Sequence, residues 1–546
     1  MTIAFPAPRA PLVEVDRLSV AFGDAAPVLS EVSFTVAPGE CLALVGESGS
    51  GKSVTARSLI GLAGQRARTA AARLAFAGDD LLGYRERDWR ALRGRRVGFV
   101  LQDALGALDP LRTVGAEIEE PLRAAGGLTR AERRERSIEL LRAVHVPEPE
   151  LRARQHPRQL SGGLRQRALI AAAIASDPAL LIADEPTTAL DAAVQAQILE
   201  LLRGLRSRDG ALIVVSHDLA VVAQLADRIA VMRHGRIVEQ GSAAAILGEP
   251  RHAYTRALVE AAAAIHGARP RVAASPAAVV PLAPAAPLLA AAGVSKSYPG
   301  ADRQRRTVVS DVSLALHAGE TIGLVGASGS GKTTLTRMLL GLEAPDAGQV
   351  RWSGDDWRDL PARERRVRRR GVQVIFQDPL ASFDPRYTVR RVLDEPLALR
   401  GVARGDRHDR AAALLRLVRL DAGLLARRPI ELSGGQRQRV AIARALALEP
   451  RALICDEPVS ALDVSVQAEV LALLDDLKAR LGLACLFISH DLGVVRRVSD
   501  RIAVMHEGRL VEDGPADRLF AAPAHPYTRA LLAAIPSLDP VRSAHA

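Results

Sequence analysis

The chain has 546 residues, of which 48% are hydrophobic, and carries a formal charge of +11. That is too much chain for one hydrophobic core, so two to four domains are expected, and three cysteines in apolar strand-like runs exclude a disulfide framework and favour buried reduced thiols in a cytoplasmic setting. Only four of the 73 basic residues are lysines (Lys52, Lys296, Lys332 and Lys478), and the arginines interleave with acids as in "RERDWRALRGRR", so solvated helix faces are read rather than a nucleic-acid surface.

The start, "MTIAFPAPRAPLVEV", has no charged segment leading into an apolar one, so no signal peptide is read and residues 1–10 are expected to be disordered. An apolar run, "CLALVG", then reads as a buried parallel strand feeding "GESGSGKS" and a helix. Such a loop presents backbone N–H groups to phosphate oxygens, with the helix N-terminus adding a favourable field. The residues concerned are Gly46, Glu47, Ser48, Gly49, Ser50, Gly51, Lys52 and Ser53, in which Lys52 would reach the β and γ phosphates and Ser53 would place its hydroxyl on Mg²⁺. In a chain that uses arginine almost everywhere, a lysine here argues for a compact ammonium among phosphate oxygens.

Residues 103–160 are arginine-rich with helical spacing and read as a helical insertion. They lead to "LSGG", where Ser161 would cap a helix and Gly162 and Gly163 would expose its free N–H groups; alone, the motif is an ordinary capped helix. The apolar strand "LLIADEP" follows, ending on two adjacent carboxylates that would be costly without a cationic or reactive partner. Asp184 suits Mg²⁺ support and Glu185 suits polarising an attacking water. "VSHD" adds His217, and "RHAYTRALVEAAAAI" reads as an amphipathic helix closing the domain.

Residues 266–286 are an Ala/Pro-rich linker, and at about 3.1 Å per residue the stretch to residue 290 could reach about 70 Å, enough to tether adjacent domains. The uncharged run there is broken by four prolines and is a poor membrane helix. Everything before it then recurs. Lys52 and Lys332 are 280 apart, Gln102 and Gln377 are 275, Ser161 and Ser433 are 272, Asp184 and Asp456 are 272, His217 and His490 are 273, and Tyr254 and Tyr527 are 273. Near-constant offsets mean one domain copied. The second loop comprises Gly326, Ala327, Ser328, Gly329, Ser330, Gly331, Lys332 and Thr333, and the second set continues with Ser433, Gly434, Gly435 and Gln436, Asp456 and Glu457, and His490. The expected organisation is an α/β fold with domains at 11–265 and 287–536 and a tail at 537–546.

With these segments in view, both halves resemble the nucleotide-binding domain of an ABC ATPase: Walker A at 46–53 and 326–333, signature at 160–164 and 432–436, Walker B at 180–185 and 452–457, D-loops "TALD" and "SALD", and switch histidines in "VSHD" and "ISHD". The resemblance implies two tandem P-loop NTPase domains, each with an inserted helical subdomain and a short C-terminal extension, using ATP and Mg²⁺. It implies head-to-tail closure, in which Lys52, Asp184, Glu185 and His217 work with the signature at 433–436, and Lys332, Asp456, Glu457 and His490 with that at 161–164. It further implies catalytic and metal-contacting roles for Gln102 and Gln377, Mg²⁺ contacts for Ser53, Asp184, Thr333 and Asp456, γ-phosphate contacts for the two histidines, and adenine stacking by Phe22 and Tyr298, although Phe22 reads equally well as a core aromatic. Leu164 departs from the family's glutamine, and site two is expected to be somewhat weakened.

"DPLASFDPRYTV" after Gln377, the looser "DALGALDPLRTV" after Gln102, and the tails "RHAYTRALVEAAAAI" and "AHPYTRALLAAIPSLDP" are similar to the ATPases of peptide and nickel importers. The resemblance implies two separate transmembrane permeases, an extracytoplasmic substrate-binding protein, and a peripheral position on the cytoplasmic face of the bacterial inner membrane. With no cysteine after Cys485, the iron–sulfur cluster found in many such extensions is not expected. The alternative is a soluble tandem ABC ATPase acting on the ribosome. Those proteins join their domains by a charged helical linker, which the Ala/Pro stretch does not resemble.

Overall fold

The computed structural model describes residues 10–188, 190–206, 210–266, 286–299, 305–460 and 462–535. The sequence expectations for residues 1–9, for the linker at 267–285 and for the tail fall outside these residues. The chain divides into two compact units, the first holding Val194–Ala263 and the described residues up to Leu190, the second holding Ala264–Ile535.

In the first unit a six-stranded sheet runs in the order Arg236–Ser242, Arg228–Arg233, Cys41–Val45, Ala211–Ser216, Leu180–Asp184, Val97–Val100. Every pairing is parallel except the edge, where Arg228–Arg233 meets Arg236–Ser242 antiparallel. Cys41–Val45 and Leu180–Asp184 are buried along their whole length, as central parallel strands covered on both faces must be. Their continuous apolar runs are therefore what the sheet demands, and both end at the edge from which the loops 46–51 and 185–188 depart. In open α/β sheets the crevice beyond such carboxyl ends is where ligands bind.

One face of the sheet packs against an antiparallel sheet built on Val13–Phe22, with Leu18, Val20 and Leu29 fully buried between them. The other face shares its core with the inserted helices, where Ile118, Leu141 and Ile170 are buried. The arginine-rich middle forms the helices Val114–Ala125 and Arg130–Ala143, started by Thr113 accepting from Ala116 N and by a capping box between Thr129 and Glu132. "RERDWRALRGRR" is a helix, Glu86–Arg95, whose one buried residue is Leu92 and whose Glu86 pairs with both Arg90 and Arg93, a solvated charged face as read from the sequence.

The second unit repeats this plan. Its sheet runs Val372–Ile375, Ala452–Asp456, Ala484–Ile488, Thr321–Val325, Arg501–His506, Arg509–Pro515. Cys41, Cys455 and Cys485 are buried thiols outside any disulfide, and the last two lie 3.7 Å apart on neighbouring strands. No described helix is long and apolar enough to cross a membrane.

Candidate active site

The loop between Cys41–Val45 and the helix Lys52–Ser58 wraps back over its own lysine. Lys52 Nζ donates to Gly46 O at 2.6 Å and to Glu47 O at 2.9 Å, and it is 5% exposed. Gly46 has φ 147, and a Cβ there would run into Met232 O, so the position that opens the loop accepts no side chain. Ser50 N donates to Glu47 O at 3.1 Å to close the loop, while Ser48 and Gly49 stay exposed at its tip. In the second unit Lys332 Nζ donates to Gly326 O at 2.7 Å and Ala327 O at 2.8 Å, and Gly326 would strike Met505 O. Burial holds the Lys332 ammonium below the ordinary lysine value, against the attraction of Glu457.

Asp184 ends the Walker B strand with no exposed surface. Ser53 Oγ donates to its Oδ1 at 2.9 Å, joining the P-loop helix to the strand. Its Oδ2 is buried without a hydrogen bond, and Arg57 Nη2 stands 3.6 Å away. Burial raises this carboxyl above the usual range, although the Ser53 hydroxyl and Arg57 oppose the rise. Asp456 is raised by burial as well, then by the charge of Glu457, and there Thr333 is exposed. An orphaned carboxylate oxygen beside a hydroxyl at the foot of a phosphate loop fits a divalent cation.

A raised carboxyl stabilises the fold at pH values below its unfolded value and loses that contribution as pH rises through the folded value, so ionised Asp184 destabilises the nucleotide-free protein at neutral pH. Asp184→Asn is therefore expected to raise the Tm of nucleotide-free protein at pH 7.5 by roughly 2–4 °C, the shift that about 1 kcal/mol gives in a domain of this size. The gain should shrink toward pH 4. Differential scanning fluorimetry across that range checks it, and a lower Tm at pH 7.5 contradicts it.

Glu185 follows Asp184 with φ 50, and Glu457 with φ 48. Each is held in this left-handed conformation by a backbone bond across the sheet, Glu185 N to Val215 O and Glu457 N to Ile488 O, both 2.9 Å. The strain costs about 1–3 kcal/mol. Around Glu185 lie Gln102 Nε2 at 2.8 Å, Thr188 Oγ1 at 3.0 Å and His217 Nδ1 at 3.2 Å. Around Glu457 lie Gln377 Nε2 at 2.7 Å and His490 Nδ1 at 3.2 Å. Burial pushes both glutamates up, but the histidine hydrogen bond and charge, with the loop lysine, outweigh it and hold both below the ordinary carboxylate range. Burial lowers His490, and the Glu457 bond and charge reverse this and leave it raised. The structure thus brings Walker A, Walker B, Gln102 and His217 into one cluster, and their counterparts into another.

The signature serines stand at the start of the helices Gly162–Ala173 and Gly434–Leu446. Ser433 Oγ accepts from Gln436 N at 3.3 Å while Gln436 Oε1 accepts from Ser433 N at 3.1 Å, a complete capping box. Ser161 Oγ accepts from Leu164 N at 3.4 Å, and Leu164 instead packs on the core of the inserted helices, so the reciprocal bond is exchanged for apolar contact. Phe22 lies half-buried against the core beside Gly64, and Tyr298 donates its hydroxyl to Glu343 Oε2 at 2.7 Å. Sequence reasoning missed Arg57 beside Asp184, the direct Gln102–Glu185 and Gln377–Glu457 bonds, and the tyrosines of the tails. Tyr254 OH accepts from Glu47 N at 3.0 Å, and Tyr527 OH from Ala327 N at 2.9 Å. Their 273-residue repeat was the available signal.

Residues 29–188 and 309–460 match the ABC transporter family, and 238–283 and 511–546 match the oligopeptide/dipeptide transporter C-terminal region. The chain is 44% identical to the peptidoglycan transport ATP-binding protein YejF of Agrobacterium fabrum, over 98% of each chain. It is 40% identical to the oligopeptide transport ATP-binding protein OppD of Mycobacterium tuberculosis, over 97% of this chain and 99% of that one. It is 42% identical to the glutathione import ATP-binding protein GsiA of Pectobacterium atrosepticum, over 98% of this chain and 91% of that one.

Proposed function

Because the chain belongs to the ABC transporter family, with two ATP-hydrolysing cassettes and two oligopeptide/dipeptide-type C-terminal regions, we propose that it energises import of peptides or related small solutes through separate permeases. The observation that carries this reading is the duplicated cluster in which a glutamine and a histidine meet one glutamate at hydrogen-bond distance, next to the strand-end aspartate and within the field of the loop lysine, in each unit. The named relatives act in peptidoglycan, oligopeptide and glutathione transport, and a ribosomal role finds no support among them.

In this reading the cassettes are 11–265 and 287–536, and ATP phosphates lie on the loops 46–53 and 326–333, with Lys52 and Lys332 at the β and γ phosphates. Phe22 and Tyr298 flank adenine. Ser53, Gln102 and Asp184 in one unit, and Thr333, Gln377 and Asp456 in the other, would hold Mg²⁺, for which the orphaned Asp184 Oδ2 is the fitting donor. When bound, Mg²⁺ supplies neutralisation of phosphate charge. Glu185 and Glu457, ionised at neutral pH, polarise the attacking water; its oxygen bonds to the γ-phosphorus as the bond to the bridging oxygen breaks, leaving ADP and phosphate. Gln102 and Gln377 orient those glutamates, and His217 and His490 contact the γ-phosphate. The units close head to tail, Ser161, Gly162 and Gly163 facing the ATP on Lys332, and Ser433, Gly434, Gly435 and Gln436 facing that on Lys52. One of each part in each unit supports this pairing.

The protein would sit peripherally on the cytoplasmic face of the membrane, served by an extracytoplasmic substrate-binding protein. Affinity capture of a Glu185→Gln, Glu457→Gln variant from detergent-solubilised cells with ATP tests the reading. Two permeases in the eluate are expected. Ribosomal proteins without a permease would overturn it.

A further inference from the structure

The hydroxyls of Tyr254 and Tyr527 each reach a nucleotide loop from the far end of the unit, 207 and 200 residues away in sequence. Neither contact is incidental to a loose tail. Glu239 Oε1 and Oε2 accept from Arg251 N at 2.8 Å and His252 N at 3.0 Å, and His252 Nδ1 accepts from Tyr254 N at 3.1 Å, which seats the first turn of the helix Ala253–His266. Glu512 does the same for Ala524 N at 2.8 Å and His525 N at 3.0 Å, and His525 Nδ1 accepts from Tyr527 N at 3.2 Å. Tyr254 is 8% exposed with the Arg233 guanidinium 4.8 Å over its ring, and the His506 ring stacks on Tyr527 at 3.8 Å. Different ring neighbours deliver the same hydroxyl to the same loop position in both units.

What that hydroxyl holds is one planar peptide. Glu47 N–H and Gly46 C=O belong to the same unit, and in a trans peptide they point opposite ways. With the N–H bound to Tyr254, the carbonyl must face the other side of the loop, where it accepts from Lys52 Nζ at 2.6 Å. In the second unit the peptide joining Gly326 to Ala327 is held at its N–H by Tyr527 and presents its carbonyl to Lys332 Nζ at 2.7 Å. Each such peptide follows a glycine in the left-handed range, where rotation of the peptide plane meets little steric resistance from the residue itself.

We propose that Tyr254 and Tyr527 are positioning residues for ATP binding: from the C-terminal extension, each fixes the peptide that aims the phosphate-loop lysine. This rests on the loops binding ATP. The role differs from capping a domain edge, since it predicts an effect on nucleotide affinity carried by a single oxygen atom.

The test uses the full-length chain and a Tyr254→Phe, Tyr527→Phe variant, which keeps both rings and their neighbours. Steady-state hydrolysis and binding of a fluorescent ATP analogue are measured with Mg²⁺. Expected are a KM for ATP and an analogue Kd raised about 5- to 10-fold, a kcat within about twofold of the parent, and an unchanged Tm without nucleotide. Each single variant should show part of the KM effect. A KM and Kd within twofold of the parent, with a lowered Tm, would make the hydroxyls mere packing anchors and overturn the proposal. A parent that neither binds nor hydrolyses MgATP would overturn the assignment beneath it; a hydrolysing parent with an unaffected double variant overturns only the tyrosines' role.

Discussion

Glu185→Gln with Glu457→Gln is expected to cut steady-state ATP hydrolysis by about 10²–10³-fold while leaving ATP binding in place. Both glutamates sit at positive φ just past the strand end, are held below the ordinary carboxylate range, and are ringed by donors at 2.7–3.2 Å. Glutamine keeps the shape and one acceptor but removes the charge that would orient and polarise water. The phosphate loops, and Ser53 on Asp184, are untouched by the change. Phosphate release and filter binding of labelled ATP would be measured side by side. Residual hydrolysis above a tenth of the parent rate would show that neither carboxylate is the water-activating group.

Lys52→Ala or Lys332→Ala, made singly, is expected to lower hydrolysis by about 10²-fold, because each lysine supplies the compact positive charge at its own loop and the proposed head-to-tail closure would need both. Full activity surviving loss of either lysine would contradict two coupled sites. A second consequence follows from electrostatics. Lys52 helps hold Glu185 below the ordinary range, and Lys332 does so for Glu457, after the burial that opposes them and the histidine that leads the lowering. Removing a neighbouring cation destabilises the ionised carboxylate and raises its pKa, so the acidic limb of the residual pH–rate profile should move to higher pH. A limb that stays in place would mean that the lysines do not set the charge of the glutamates.

Local chemistry made much of the site legible. Glycines flanking a lysine between an apolar strand and a helix can be read because loop, strand and helix are contiguous, and the repeated offsets reported the duplication without reference to any contact. The strands "CLALVG" and "ALLIADEP" were readable because burial on both faces demands unbroken apolar runs, as Cys41–Val45 and Leu180–Asp184 display. Leu164 was visible as a departure, but its reason was not: only the packed helices reveal that it joins their core in place of completing a cap.

The sequence by itself determined the duplication, the inserted helices and the candidate lysines, carboxylates and histidines, because the copy shows in near-constant offsets, the helices in their periodicity, and the candidates in local motifs and their resemblance to those of an ABC ATPase. The tertiary structure decided how they meet. The left-handed turn at Glu185 depends on a bond to Val215 on the neighbouring strand, the Gln102–Glu185 bond joins residues 83 apart, and the tyrosine–loop bonds join residues 200 or more apart. Such contacts are set by which strand lies beside which and where the final helix docks, and no window along the chain contains both partners.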